Sequence, residues 1–170
     1  AVYLTDASAS SAAPSSGSGK RVTVSTGAFE DAPKLAALAM PPSVSSVDLG
    51  APIAVAFNGG CAALAKVTLR SAVTTGAMAS SPFGGCPAIT SLDLQSQAIV
   101  GAAYTAGSSL LDTYFAASKG TIAAVAIGGG VTSVGAYAFY SAPALATVSL
   151  LDDVATIESS AFSECSRMTR

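Results

Sequence analysis

The sequence contains no histidine and no tryptophan, and charged residues are scarce. Its 170 residues include eight Lys and Arg against ten Asp and Glu, which gives a net charge of -2. Histidine is the commonest side chain for acid–base catalysis and for metal binding near neutral pH. The few basic side chains cannot form the stripe that neutralises a phosphate backbone. We therefore expect no enzyme activity, no cofactor, no metal site and no nucleic-acid partner.

Cysteine is also scarce, and so are aromatic residues. Cys61, Cys86 and Cys165 are too few, and odd in number, for a disulfide framework of the small secreted kind. Hydrophobic residues nevertheless make up 51% of the chain, which excludes disorder for most of it. The length fits one domain. Because the first residue is Ala1, we expect a processed chain or a piece of a longer one.

A long uncharged stretch raises the question of a membrane span. Residues 121–151 carry no charge, and this length is sufficient to cross a bilayer as a helix. Gly128–Gly130, Gly135 and Pro143 interrupt the stretch, and its apolar residues recur periodically. We therefore favour a folded domain that contacts a membrane only through a partner, with a membrane-embedded helix as the alternative.

Composition divides the chain at about residue 20. Residues 1–20 are rich in Ser, Ala and Gly, which is typical of a flexible arm. Arg21–Val24 alternates between polar and apolar residues and predicts a first strand. Residues 21–170 are therefore expected to form the folded domain.

Within 21–170 one apolar pattern returns five times. It reads apolar-x-x-apolar-x-apolar, and its copies begin at Leu35, Leu64, Ile89, Ile122 and Leu145. An aromatic residue precedes each copy by six or seven positions: Phe29, Phe57, Phe83, Phe115 and Phe139. A sixth unit begins at Phe162 and is expected to be incomplete. A fixed period of this kind predicts a repeat architecture.

The last two copies agree in detail, whereas the middle of the chain does not. A second apolar pair follows the core at Val131 and Val134, and again 23 residues later at Val154 and Ile157. In the first copy we assign Val44 and Val47 to this second pair. Residues of about 101–120 do not fit a full unit, and we expect an insertion or an irregular coil there.

This unit resembles the BspA-like class of leucine-rich repeats. The resemblance is strongest over 122–165, where Ala138-Phe139 and Ala161-Phe162 match the Ala-Phe pair of that family. It implies a right-handed solenoid of about five to six coils, with one short parallel β-strand per coil and little helix. Stacked coils bury a core that no single coil can bury alone. Members of the family are typically surface, adhesion or protein-interaction modules rather than enzymes.

The three cysteines occupy one position of the repeat, three residues before the core pattern. A small buried residue at a turn is the interpretation that we favour. A bridge between Cys61 and Cys86 is the alternative, because coils stack about 4.8 Å apart at a sheet and a disulfide needs Cα atoms about 4.4 to 6.8 Å apart. Metal binding by cysteines spread over three coils is disfavoured.

Outward positions of the strands form the concave face that the resemblance predicts. In the first coil these are Ala37, Ala39 and Pro41, and in the last two coils they are mostly Ala, Gly, Ser and Thr. Only the second and third coils offer charge. The candidate binding residues are Lys66, Thr68, Arg70, Asp93 and Gln95. A merely solvated face would show the same residues.

Two hypotheses of function follow. The first is a non-catalytic interaction or scaffold module that serves as a subunit of a larger assembly, with another protein covering the open C-terminal end or the smooth Ala/Gly face. The alternative is an extracellular adhesion or ligand-binding module that uses the concave face. In either case we expect an extracytoplasmic location, at a cell surface, secreted or in an organelle lumen.

Overall fold

A computed structural model gives the fold. It describes residues 21–23, 46–50, 61–75 and 81–168 in full, and only the backbone of strand residues 2–3, 20, 24, 37–39, 44–45 and 56–57. Within these residues the strands are β1 (Val2–Tyr3), β2 (Lys20–Val24), β3 (Ala37–Ala39), β4 (Val44–Leu49), β5 (Ala56–Phe57), β6 (Lys66–Leu69), β7 (Ser91–Leu94), β8 (Ala124–Ile127), β9 (Ser133–Val134), β10 (Thr147–Leu150) and β11 (Thr156–Ile157). The helices are short: α1 (Gln97–Val100), α2 (Leu110–Tyr114) and 3-10 turns at Cys61–Ala63 and Ala116–Ser118.

One six-stranded parallel sheet organises the molecule. Its strand order is β10-β8-β7-β6-β4-β2, so chain neighbours in this sheet are also neighbours in space. The apolar residues of the repeat are in register: Val67 pairs with Leu92, and Leu92 pairs with Val125. These residues are buried in one continuous core. The prediction of a repeat solenoid with one short parallel strand per coil and little helix is confirmed.

The first copy of the pattern was assigned to the wrong window. The strand that joins the main sheet is β4, in which Val47 pairs with Val67 and Leu49 pairs with Leu69. Leu38 belongs to β3, which pairs with β1 and β5 in a separate three-stranded sheet. The outward residues of this coil in the main sheet are therefore Ser46 and Asp48. Ala37 and Ala39 lie in the other sheet, and Pro41 lies outside the described residues.

A second, shorter ladder runs along the last two coils. Strand β9 pairs with β11, so that Val134 lies beside Ile157, as the 23-residue offset predicts. The other side of β9 faces Gln97, whose side-chain oxygen accepts hydrogen bonds from the backbone N–H groups of Thr132 and Ser133. One side-chain amide thus takes the place of a neighbouring strand where the preceding coil forms α1 instead.

The repeated phenylalanines form stacked pairs in the core. The rings of Phe83 and Phe115 lie 5.0 Å apart, and those of Phe139 and Phe162 lie 5.2 Å apart, with nearly parallel planes. Two residues before a phenylalanine the backbone turns into the left-handed region, at Ser81, Tyr137 and Ser160. The same turn therefore recurs in three coils, at the same distance from Phe83, Phe139 and Phe162, whereas the coil of Phe115 has α2 at this place.

The coil between β7 and β8 is the longest of those between described strands. Residues 101–120, predicted as an insertion or irregular coil, contain α2 and the second 3-10 turn. Ser109 caps α2 by accepting a hydrogen bond from the Asp112 N–H, while the Asp112 carboxylate accepts one from the Ser109 N–H. Lys119 donates to the same carboxylate at 2.9 Å. Burial tends to raise the pKa of Asp112, but Lys119 and Ser109 outweigh it and lower the pKa.

Residues 1–20 and the uncharged stretch 121–151 both contribute strands. Of residues 1–20, predicted to be a flexible arm, Val2–Tyr3 form β1 beside β3, Lys20 opens β2, and the others lie outside the described residues. The uncharged stretch 121–151 contains β8, β9 and β10. Among the described residues, no helix has both the length and the apolar character needed to cross a membrane.

Candidate functional site

The outward residues of the main sheet stand in rows across adjacent strands. We call this side the concave face, as the resemblance predicts. One row contains Arg21, Ser46 and Lys66, which are consecutive partners in the register of β2, β4 and β6. The next row contains Asp48, Thr68 and Asp93 on β4, β6 and β7. Parallel strands lie about 4.8 Å apart, so residues far apart in sequence become immediate neighbours.

These rows enclose a small polar cavity of about 210 Å³. All five candidate binding residues from the sequence line it, together with three residues of the first two strands. The lining residues are Arg21, Ser46, Val47, Lys66, Thr68, Arg70, Asp93 and Gln95. The structure therefore brings the predicted residues together at one place on the concave face.

Asp48 lies at the base of this site and holds two arginines. Arg70 binds it with two hydrogen bonds, Nε to Oδ1 at 2.8 Å and Nη2 to Oδ2 at 2.6 Å. Arg21 donates from the other side to Oδ2. The Asp48 side chain is only 1% exposed, whereas those of Arg21 and Arg70 are 58% and 50% exposed. The carboxylate is thus fully covered, while both guanidinium groups reach the solvent.

The electrostatics of this cluster favour the ionised forms of Asp48 and Arg70. The hydrogen bonds from Arg70, with those from Arg21, outweigh burial and lower the pKa of Asp48. The carboxylate of Asp48, helped by the charge of Asp93, raises the pKa of Arg70. Two guanidinium groups share one carboxylate, so the cluster retains excess positive charge.

The sequence analysis missed Asp48, although a signal for it existed. Val44-x-x-Val47-x-Leu49 is itself a copy of the repeated pattern, nine residues after the copy that begins at Leu35. Both windows satisfy the pattern. Stacking of β4 against β6 selects the second window, and this choice places Asp48 beside Thr68, where it binds Arg21 and Arg70.

The remaining polar groups of the cavity are less constrained. Asp93 accepts a hydrogen bond from the Gln95 side-chain amide at 3.2 Å. Lys66 is exposed, and its ammonium group has no hydrogen-bond or ion-pair partner within the described part of the chain. Thr68 lies buried between the strands that carry Asp48 and Asp93. The site therefore combines the Asp48 carboxylate, whose oxygens are occupied by two arginines, with Lys66, whose ammonium group is available to a ligand.

The cysteines lie at the turns that precede the strands. A disulfide joins Cys61 to Cys86, whose Cα atoms are 4.9 Å apart on adjacent coils. Cys165 is free, and its thiol donates to the backbone oxygen of Phe139 at 3.1 Å. Burial raises the pKa of the Cys165 thiol. These turns lie outside the lining of the polar cavity.

The last strands of the sheet present a different surface. Ala124, Ala126 and Ser149 occupy the outward positions of β8 and β10. The side chain of Leu151 lies over Gly128 and leaves no space for a Cβ there. Leu150, Leu151 and Ile157 are among the large apolar residues that remain exposed. The outward positions of β8 and β10 therefore carry small, uncharged side chains.

Comparison with known proteins agrees with this architecture. Neither the search of curated proteins nor the search of solved structures returned a match. A family model, the BspA type leucine rich repeat region, matches six copies over residues 22–169. The chain belongs to the family of BspA-type leucine-rich-repeat proteins, whose repeats generally mediate protein–protein interaction and are generally not catalytic.

Proposed function

We propose that this chain is a non-catalytic interaction module that binds a segment of a partner protein on its concave face. The observation that carries this proposal is the polar cavity shared by β2, β4, β6 and β7. Four coils contribute its side chains, and the ladders between their strands hold the backbone of each in place. Solenoids use the extended concave surfaces formed by successive repeats for binding.

An extracytoplasmic location is part of this proposal. The disulfide between Cys61 and Cys86 supports it, because disulfides persist in oxidising compartments and are rare in the cytosol. A protein in such a place that binds partners through an exposed sheet would act in adhesion or in ligand capture.

The experiment that tests binding on this face is selection from a random peptide library. Selected peptides are then measured against two variants, Thr68→Tyr and Ser149→Tyr. Thr68 and Ser149 occupy the same row of the sheet, on β6 and β10 respectively. A tyrosine at 68 fills the cavity, whereas one at 149 lies away from it. We expect Thr68→Tyr to abolish binding and Ser149→Tyr to preserve it, and equal binding by both variants would contradict the proposal.

A second candidate function is that of a subunit in a larger assembly. It is favoured by β10, which has a hydrogen-bonded neighbour on one side only among the described residues. Leu150 beside this edge is 42% exposed, and Ile157 on β11 is 50% exposed. A further coil that places one strand beside β10 and another beside β11 would cover both side chains. Unpaired strand edges are sites of association with another chain.

The size of the native particle tests this second function. Light scattering after size-exclusion chromatography would give a mass above 16.5 kDa if another subunit covers this edge. Ile157→Ser should then lower the measured mass, whereas Thr156→Ser, on the same strand, should leave it unchanged. A particle of monomer mass at all concentrations would exclude self-assembly, and purification with no co-eluting polypeptide would exclude a different subunit.

A further inference from the structure

The cavity on the concave face has more positive than negative charge available to a ligand. Arg21, Lys66 and Arg70 line it, and Asp93 is the carboxylate among its lining residues. Asp48 lies behind them with its oxygens already occupied by the two arginines. The whole chain has a net charge of -2, so this local excess of positive charge is opposite in sign to the net charge of the chain.

Asp48 also sets the orientation of the arginines. Arg70 directs Nε and Nη2 to the two carboxylate oxygens, and its other terminal nitrogen finds no acceptor in the described segments. Because a guanidinium group is planar, fixing two of its nitrogens fixes the direction of the third. The Arg70 side chain is therefore held half exposed at the cavity rather than being free to fold away.

Lys66 and Arg21 complete a positive side of the cavity. They lie in one row with Ser46 between them, which places their backbones about 10 Å apart over two strand spacings. Both side chains are long enough to converge on an anion beside Ser46, which also lines the cavity. Asp93 lies on the next strand beside Thr68, in the adjacent row, and its charge repels a second negative charge in the cavity. This arrangement suits a ligand group with a single negative charge.

The size of the cavity limits the ligand further. Sites for drug-sized molecules enclose about 300 to 1,000 Å³, which is more than this cavity offers. At about 210 Å³ it has room for a side chain rather than for a larger free molecule. Arginine binds carboxylates and phosphates alike, but a phosphate monoester carries close to two charges and would face Asp93.

We propose that the cavity binds the carboxylate of a Glu or Asp side chain presented by a segment of the partner protein. Arg70 and Lys66 are its principal donors, and Asp48 positions Arg70. This inference rests on the proposed function, since it names the chemistry that the same site recognises.

The test uses three blocked synthetic peptides that differ at one central position, which is Glu, Gln or phosphoserine. Binding is followed by NMR titration of the intact chain. We expect the Glu peptide to bind at least about tenfold more tightly than the Gln peptide, a ratio that corresponds to about 1.4 kcal/mol. Its affinity should fall as salt rises, because exposed charges are screened. Equal affinity for the Glu and Gln peptides would overturn the inference. Tighter binding of the phosphoserine peptide would also overturn it, because the group that the cavity recognises would then be a phosphate.

Two variants and a control assign the effect to the site. Lys66→Gln should lower the affinity for the Glu peptide about tenfold, whereas Lys66→Arg should retain this affinity. Arg167→Gln removes the same charge from an exposed position outside the cavity and should change nothing. If Lys66→Gln binds like the unaltered chain, the lysine has no such role and the inference fails.

The two proposals can fail separately. If neutral peptides from the library bind and Thr68→Tyr blocks them, the concave face binds protein segments but does not recognise a carboxylate. If no peptide of any composition binds, both proposals fall.

Discussion

The concave face differs between the first four strands of the main sheet and the last two, although the inward positions are apolar in every strand whose side chains are described from β4 to β10. Strands β2, β4, β6 and β7 carry the polar cavity with its ion pairs. Strands β8 and β10 present Ala124, Ala126 and Ser149 instead. Inward positions are set by stacking, which every coil shares. Outward positions are free of this constraint, so the chemistry of a binding site can be confined to part of the sheet.

The last strand of the main sheet also differs from an interior strand in how well its inward side chains are covered. Leu69 on β6 is fully buried, whereas Leu150, at the same register position on β10, is 42% exposed. We expect Leu69→Ala to lower the free energy of unfolding by about 2 to 5 kcal/mol, the range for deleting a buried leucine side chain. Leu150→Ala should lower the free energy of unfolding by far less. Urea denaturation of both variants measures this difference, and equal losses would show that β10 is covered in solution.

The disulfide adds a constraint to the half of the molecule that carries the polar cavity. Cys61 and Cys86 are 25 residues apart, and closing a loop of this length in the unfolded chain contributes about 3 kcal/mol. We expect Cys61→Ser to lower the free energy of unfolding by about this amount. Cys165→Ser, at the same repeat position but with a free thiol, is the matched control. If both variants lose the same stability, the bridge contributes no more than packing.

The ion pairs of Asp48 should contribute less than the apolar core. Asp48→Asn keeps the shape of the side chain but removes the charge that binds Arg21 and Arg70. Hydrogen bonds to charged groups contribute about 1.5 to 3 kcal/mol, and we expect a loss of about 1 kcal/mol because water screens the half-exposed arginines. Asp152→Asn, at an exposed turn, serves as the control in thermal unfolding. A loss as large as that of Leu69→Ala would mean that the cluster is part of the structural core.

The smallest expected effect is a change in the acid limb of the stability profile. The pKa of Asp48 is lowered in the folded chain, chiefly by Arg70, so its stabilising effect is present above the unfolded pKa of about 3.9. It is lost as the pH falls through the folded pKa. Stability should therefore fall more steeply below about pH 4 in the unaltered chain than in Asp48→Asn. The pKa of Asp112 is also lowered, so the stability of both proteins should still depend on pH in this range. Parallel curves for the two proteins would contradict the assignment to Asp48.

The sequence predicted the buried face better than it predicted the cavity. The apolar pattern that begins at Leu64, Ile89 and Ile122 spans only six residues. The inward residues of each coil can therefore be predicted from that short segment alone. Four of the five copies of the pattern lie where the register of the main sheet requires. The first copy was wrong because the windows beginning at Leu35 and Val44 both satisfy the pattern. The apolar pattern by itself does not distinguish them.

The sequence by itself determined the family, the one-strand-per-coil architecture and the five polar residues of the second and third coils, because a short repeat records which side chains face the core. Tertiary structure alone decided which window of the first coil enters the main sheet, and with it the position of Asp48. That choice depends on how Val47 and Leu49 stack on Val67 and Leu69. It also brought Arg21 and Arg70 onto one carboxylate, because parallel strands make neighbours of residues that are 49 positions apart in the chain.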